Sequence, residues 1–255
     1  MAKRLRIALL SLILLMVALN AWFTQRDITA WERPLRVAIY PINADQSPAT
    51  AQYIAGLRAD AFHPIEEFFQ REIGRYGRDL SRPVEIVLGP EPASAPPELP
   101  QERQVPQIML WSLRLRYWAW TTDDNPGPAP QVRLFVQYYD PLRFPRLDHS
   151  IGLSKGALGL IKAFATRSMN AQNNVIIAHE LLHTLGASDK YDPRTNLPRY
   201  PDGYAEPERE PRYPQTRAEI MGGRTPLAPN RAETPFGLPS VVVGPATARE
   251  IGWTD

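Results

Sequence analysis

The residues from His179 to Asp189 constrain the fold more than any other part of the chain. Their sequence is HELLHTLGASD, and the apolar spacing around them predicts a helix from about 170 to 185. Residues four apart in a helix lie on one face, so the imidazoles of His179 and His183 would project side by side. Ile177, Leu181 and Leu185 form an apolar stripe on another side. We therefore expect a helix that packs against a sheet on one side and carries a polar site on the other.

Two imidazoles on one helical face are typical of a metal site. A chain without cysteine must complete such a site with His, Asp or Glu ligands. Gly186 can adopt the left-handed conformation that ends a helix, and the chain would then return so that Asp189 reaches the ion bound by His179 and His183. Glu180 lies beside the two-histidine face, where its carboxylate can take a proton from a metal-bound water. The sequence therefore predicts a Zn²⁺ site with an adjacent general base.

This pattern resembles the extended motif of the metzincin clan of zinc metallopeptidases, H-E-x-x-H-x-x-G-x-x-H/D followed by a methionine turn. The aspartate at the last position is similar to snapalysin-type enzymes. Within EIMGG at 219–223, Met221 is the methionine that fits the turn, because the other methionines precede or open the active helix. The resemblance implies that Met221 lies beneath the zinc without binding it, and that Asp189 is the third ligand.

The resemblance also implies the fold class. We expect an α+β structure with a mixed twisted sheet, an antiparallel edge strand, the active-site helix and a loop-rich C-terminal subdomain that contains the Met-turn. Hydrophobic patterns predict strands at 35–42, 84–88, 132–139, 148–154 and 158–166, and helices at 50–75, 107–120 and 245–251. Pro64 is expected to break the helix over 50–75. The edge strand is expected to bind an extended peptide by strand addition through Ile151, Gly152, Leu153 and Ser154.

The N-terminal segment is predicted to be a membrane anchor. Lys3, Arg4 and Arg6 precede an uncharged, apolar run over 7–23, which is close to the length of a membrane span. No clean small-residue cleavage pattern follows, so we predict an uncleaved signal anchor over 1–26. The basic flank favours a cytoplasmic N-terminus and an extracytoplasmic catalytic domain, periplasmic or extracellular. That domain would span 27–255, with an upper subdomain over 27–186 and a lower one over 187–255.

The predicted function is a membrane-anchored zinc endopeptidase that hydrolyses peptide or protein substrates. A formal net charge of +2 lacks the basic stripe typical of nucleic-acid binding, so no nucleic-acid partner is expected. One alternative is a gluzincin-like or aspzincin-like site in which Glu206 or Glu219 is the third ligand. Another is a non-catalytic anchored protein with a structural zinc site, although such a site needs no base at Glu180. The tyrosines beyond the motif, at 191, 200, 204 and 213, are expected to pack, with the alternative that one of them faces the cleft.

Overall fold

A five-stranded sheet forms the centre of the structure. The computed structural model describes residues 12, 26–100, 102, 104–122, 127–147, 151–153 and 157–254. The sheet strands are β1 (Leu35–Asn43), β2 (Val84–Leu88), β3 (Val132–Tyr139), β4 (Ile151–Leu153) and β5 (Leu158–Phe164). Their order across the sheet is β2-β1-β3-β5-β4. All neighbours pair in parallel except β4, which pairs antiparallel with β5 at one edge. The chain is therefore a mixed α/β structure with a largely parallel central sheet.

Helices cover both faces of this sheet. After β1, the described helices are α1 (Pro48–Ala55), α2 (His63–Gly74), α3 (Val105–Thr121), α4 (Asn170–Thr184) and α5 (Pro245–Glu250). Successive side chains of a strand point to opposite faces. Val37 and Ile39 accordingly pack in one cluster with α2 and α4, whereas Ala38 and Tyr40 pack in a second cluster with α3. Burial on both faces explains the nearly continuous apolar sequence of β1.

The predicted helix over 50–75 is two helices. α1 ends at Ala55, a 3₁₀ turn follows at Ala59–Phe62, and α2 begins at His63. Pro64 occupies the first turn of α2, where its missing N–H has no helical partner to lose. Pro64 therefore begins a helix instead of breaking one, and the break lies before it.

The part of the chain after α4 has short strands and long irregular connections. It contains β6 (Ala218–Glu219), β7 (Thr225–Ala228), β8 (Arg231–Glu233) and β9 (Val241–Val242) before α5. Its buried side chains, including Met221 and Trp253, belong to the same core cluster as those of α2 and α4. Trp253 packs edge-on against Phe69 at 6.2 Å between ring centroids. The C-terminal region is therefore fixed to the helical layer that carries the histidine motif.

The predicted membrane anchor is not supported. Of residues 1–26, the structure describes only residues 12 and 26, so the predicted anchor lies almost wholly outside the described residues. In the part of the chain that the structure does describe, no helix is long and apolar enough to cross a membrane. The longest of these helices, α3, has 17 residues and includes two arginines, whereas a span needs about 20 predominantly apolar residues. This finding contradicts the transmembrane signal anchor, the membrane partner and the extracytoplasmic location.

Candidate metal centre

The histidine motif lies on α4, which is held tightly against the core. Ile177 and Leu181 are fully buried on its inner side. Near its start, the side-chain amide of Asn173 donates to the Phe164 carbonyl at 2.9 Å and accepts from the Phe164 amide at 3.2 Å. Asn174 donates to the Ala61 carbonyl at 2.9 Å. These contacts fix the rotation of α4, so its polar side is held in one orientation.

A glycine turn brings the third candidate ligand to this side. Gly186 has φ of +108°, in the range that disfavours any residue with a Cβ. The Ala187 amide donates to the Leu182 carbonyl at 3.0 Å, which closes the end of α4. Beyond this turn, Asp189 Oδ1 lies 3.3 Å from His179 Nε2 and 3.1 Å from His183 Nε2.

The three donors have the spacing of a tetrahedral metal site. The candidate ligand atoms of His179, His183 and Asp189 all lie within 4.8 Å of one another. Ligand distances of about 2.0 to 2.2 Å at tetrahedral angles separate two ligand atoms by about 3.3 to 3.6 Å. The observed separations from Asp189 are close to this range, so the three residues could hold one metal ion.

Both imidazoles have their tautomer fixed by the backbone. His179 Nδ1 lies 2.9 Å from the Ile220 carbonyl, and His183 Nδ1 lies 2.8 Å from the Ala187 carbonyl. A carbonyl can only accept a hydrogen bond, so each Nδ1 carries a proton, and each Nε2 can either hold a second proton or bind a metal. Metal-binding histidines commonly have such a partner on the second nitrogen. The Nε2 atoms of both rings face Asp189, to which they donate when they are protonated.

The electrostatics of the group favour an anionic aspartate. Burial alone would raise the pKa of Asp189, but hydrogen bonds from the two imidazoles hold it well below its ordinary value. Burial alone would lower the pKa of His179, but Asp189, Glu180 and the Ile220 carbonyl together raise it. The Asp189 carboxylate attracts a proton to the neighbouring imidazole. A metal cation bound by the same residues would replace that proton.

Glu180 and Tyr191 lie beside the three donors in an open cleft of about 670 Å³, which His179 also lines. The Glu180 residue is only 6% exposed. The ring centroid of Tyr191 lies 6.4 Å from that of His179, and burial together with the charge of Asp189 raises the pKa of Tyr191 to about 12. Tyr191 therefore keeps its proton and can donate a hydrogen bond into the cleft. The sequence favoured packing for Tyr191 and allowed one of the four tyrosines to face the cleft; its place two residues after Asp189 was the signal that could have selected it.

Met221 lies in a 3₁₀ turn, Ile220–Gly222, whose first residue places its carbonyl 2.9 Å from His179 Nδ1. It is fully buried, and its carbonyl accepts from the Lys190 amide at 2.8 Å. Glu219, just before this turn, accepts from the amides of Gly222 at 2.7 Å and Gly244 at 3.0 Å. The turn is therefore tied both to the loop that carries Asp189 and to the start of α5.

The alternative third ligands are engaged elsewhere. Glu206 accepts from the Thr216 amide at 3.1 Å and from the Thr216 hydroxyl at 2.8 Å, and Glu219 is bound as described above. Among the described residues, the group that could hold a metal contains neither of them. The expected peptide-binding strand is present as the backbone of β4, whereas Ser154 lies outside the described residues.

Polar contacts on both sides of Asp189 attach its loop to α5. Lys190 Nζ donates to the two carboxylate oxygens of Glu250 at 2.6 and 2.7 Å. The Ser188 amide and hydroxyl donate to the same carboxylate at 2.9 and 2.7 Å. We call Ser188, Lys190 and Glu250 the ligand-loop clamp. It fixes the residues on either side of Asp189 to one side chain of α5.

No family model matches this chain, and no curated protein matches it. The chemistry must therefore be inferred from the site. Two imidazoles and a carboxylate suit a borderline divalent cation, and three protein ligands leave a position for water or substrate. A buried carboxylate and a protonated phenol lie beside this group, so the arrangement can bind a metal and move a proton next to it.

Proposed function

We propose that the protein is a zinc-dependent endopeptidase of the metzincin type, with His179, His183 and Asp189 as its zinc ligands. The observation that carries this proposal is the convergence of those three donors at tetrahedral spacing next to Glu180. Three further features agree with a metzincin plan: the turn that contains Met221, the glycine turn after α4, and an antiparallel strand at the sheet edge.

Zinc would supply Lewis acidity toward a peptide carbonyl and would lower the pKa of a water. The Glu180 carboxylate can then take a proton from that water and deliver it to the leaving amine. Tyr191 is protonated at neutral pH, with a pKa raised to about 12, and its hydroxyl can donate a hydrogen bond to the carbonyl oxygen as negative charge develops there. The backbone of β4 can hold the substrate extended by strand addition.

The openness of the cleft favours catalysis over a structural zinc site. Structural zinc sites are closed by four protein ligands, whereas the described residues provide three around an accessible cleft. A structural site would also have no use for the buried Glu180. A gluzincin-like arrangement is disfavoured because Glu206 and Glu219 already accept hydrogen bonds away from the histidines.

The test compares zinc content and hydrolysis of a peptide library in the same preparations. Glu180→Gln should keep about one zinc per chain and lose hydrolysis, since it removes the base but no ligand. Asp189→Ala should lose zinc affinity and activity together, and Asp189→His should recover both in part. Glu206→Ala is the matched control and should behave like the wild type. Full zinc occupancy in Asp189→Ala, or hydrolysis that survives in Glu180→Gln, would contradict the proposal.

A further inference from the structure

The cleft beside the metal centre carries an excess of positive charge. Its lining includes Arg146, Lys162 and Arg224, whereas Glu180 is the only carboxylate that lines it among the described residues. The whole chain has a formal net charge of only +2. The residues that line this cleft therefore carry more positive than negative charge, although the two signs nearly balance over the whole chain.

Two of these cations are available to a ligand. Within the described ranges, neither Arg146 nor Arg224 forms an ion pair or a side-chain hydrogen bond. Arg146 is exposed and Arg224 is half-buried. A guanidinium has five donors in a planar fork that matches a carboxylate, so each arginine can bind a carboxylate without first giving up a partner.

The three cations reach the cleft from separate parts of the chain. Lys162 lies on β5, two residues beyond Leu160, which pairs with Ile151 of the edge strand β4. Arg146 precedes that edge strand in the chain. Arg224 belongs to the C-terminal region, directly after Gly223 and the turn that contains Met221. A peptide extended along β4 would therefore lie beside β5, which carries Lys162, and next to a cleft that Arg146 and Arg224 also line.

We propose that this cleft selects peptides with acidic side chains near the scissile bond. The inference rests on the proposed peptidase function and specifies its substrate class. Apolar side chains, among them Phe164, Val175 and Ile176, also line the cleft, so the cations direct selection within a peptide-binding surface. A peptide C-terminus presents the same carboxylate group, but three cations from separate parts of the chain can meet side chains at more than one position, whereas a chain end offers one carboxylate.

The test uses matched peptides that carry Glu or Gln near the scissile bond, all with amidated C-termini. We expect the wild type to prefer the Glu peptide about tenfold in kcat/KM at low salt, with about threefold lost in each of Arg146→Gln and Arg224→Gln. Arg224→Lys should keep part of the preference. The preference should shrink in 0.5 M NaCl, where screening is stronger.

The control is Arg82→Gln. Arg82 is an exposed arginine just before β2, at the opposite edge of the sheet from β4, and its loss should leave the preference unchanged. A further pair of neutral peptides, one with a free and one with an amidated C-terminus, identifies the source of the carboxylate. If only the free terminus is preferred, the cleft binds chain ends and the proposal of acidic side chains is overturned.

Binding separates this inference from the peptidase proposal. Fluorescence anisotropy of labelled Glu and Gln peptides on the Glu180→Gln variant, which should keep the metal and lose hydrolysis, measures the charge preference without turnover. If the Glu and Gln peptides have equal kcat/KM and bind equally well, the inference is overturned. Zinc-dependent cleavage of both peptides would leave the peptidase proposal intact. If no peptide is cleaved, the peptidase proposal fails, and tighter binding of the Glu peptide, reduced in Arg224→Gln, would still support an acid-binding cleft.

Discussion

The ligand-loop clamp makes a strong prediction for Glu250→Gln. Glu250 accepts four hydrogen bonds, two from Lys190 Nζ and two from Ser188. The Lys190 side chain is 8% exposed and that of Glu250 is 32% exposed. Glutamine keeps the shape and one acceptor oxygen but removes the charge opposite a buried ammonium group. The variant therefore tests whether Glu250 holds the loop that carries Asp189.

The magnitude follows from this environment. Removing one partner of a fully buried ion pair costs about 3 to 5 kcal/mol. The partial exposure of Glu250, the remaining amide oxygen and the contacts of Lys190 with Ser188 reduce this cost, so we expect about 2 kcal/mol. For a chain of this size that corresponds to a fall of roughly 4 to 8 °C in Tm. Loss of support for a ligand typically weakens metal affinity by about 10- to 100-fold.

The assay has two arms. Urea unfolding of the metal-free protein measures stability, and competition with a chromophoric chelator measures zinc affinity. Glu67→Gln, which changes an exposed carboxylate on α2, is the matched control and should alter neither. If Glu250→Gln loses stability but binds zinc like the wild type, the clamp does not position Asp189. If neither quantity changes, the contacts of Glu250 are not maintained in solution.

The clamp also predicts a pH dependence. Burial alone would raise the pKa of Glu250, but hydrogen bonds from Lys190 and Ser188 hold it below its ordinary value of 4.5. A carboxyl whose pKa is lowered by folding stabilises the protein above its unfolded pKa, and this contribution is lost as the pH falls through the folded value. The stability difference between the wild type and Glu250→Gln should therefore be full at neutral pH and shrink below about 4.5.

Three other predictions concern the metal centre. Zinc affinity should fall as the pH is lowered from 8 to 6, because Asp189 and Glu180 raise the pKa of His179 and a proton then competes with the metal. Calorimetry in buffers of different ionisation enthalpy should detect the proton that zinc binding releases. Tyr191→Phe should keep zinc and KM but lower kcat by about 10- to 100-fold, and an unchanged kcat would exclude its role as a donor. Gly186→Ala should cost about 1 to 2 kcal/mol by urea unfolding because of the positive φ, with weaker zinc binding.

Local sequence signals predicted much of the fold. The strands β1, β2 and β3 lie in segments that are mostly apolar, and α4 follows a helical pattern that contains both histidines. The position of Asp189 was also predictable, because a helix and one glycine turn determine where the next few residues go. These features depend on neighbours within about ten residues, which periodicity and turn chemistry capture well.

The contacts that complete the site could not be predicted in this way. His179 Nδ1 forms a hydrogen bond with the carbonyl of Ile220, 41 residues later. Lys190 Nζ donates one to the carboxylate of Glu250, 60 residues later. The intervening chain is irregular and rich in proline, so no periodicity indicates which of its polar groups return to α4. Arg224 could not be predicted for the same reason, because it lies far from the motif in sequence but lines the same cleft.

The three proposed ligands are therefore held in two different ways. His179 and His183 lie on a helix whose inner side is fully buried, and each has a backbone carbonyl behind it. Asp189 lies on a loop that depends on polar contacts from Ser188 and Lys190 to α5. Apolar packing does not weaken at high salt, whereas an ion pair does. High salt should thus release Asp189 first and leave a weaker two-histidine site, while α4 stays folded.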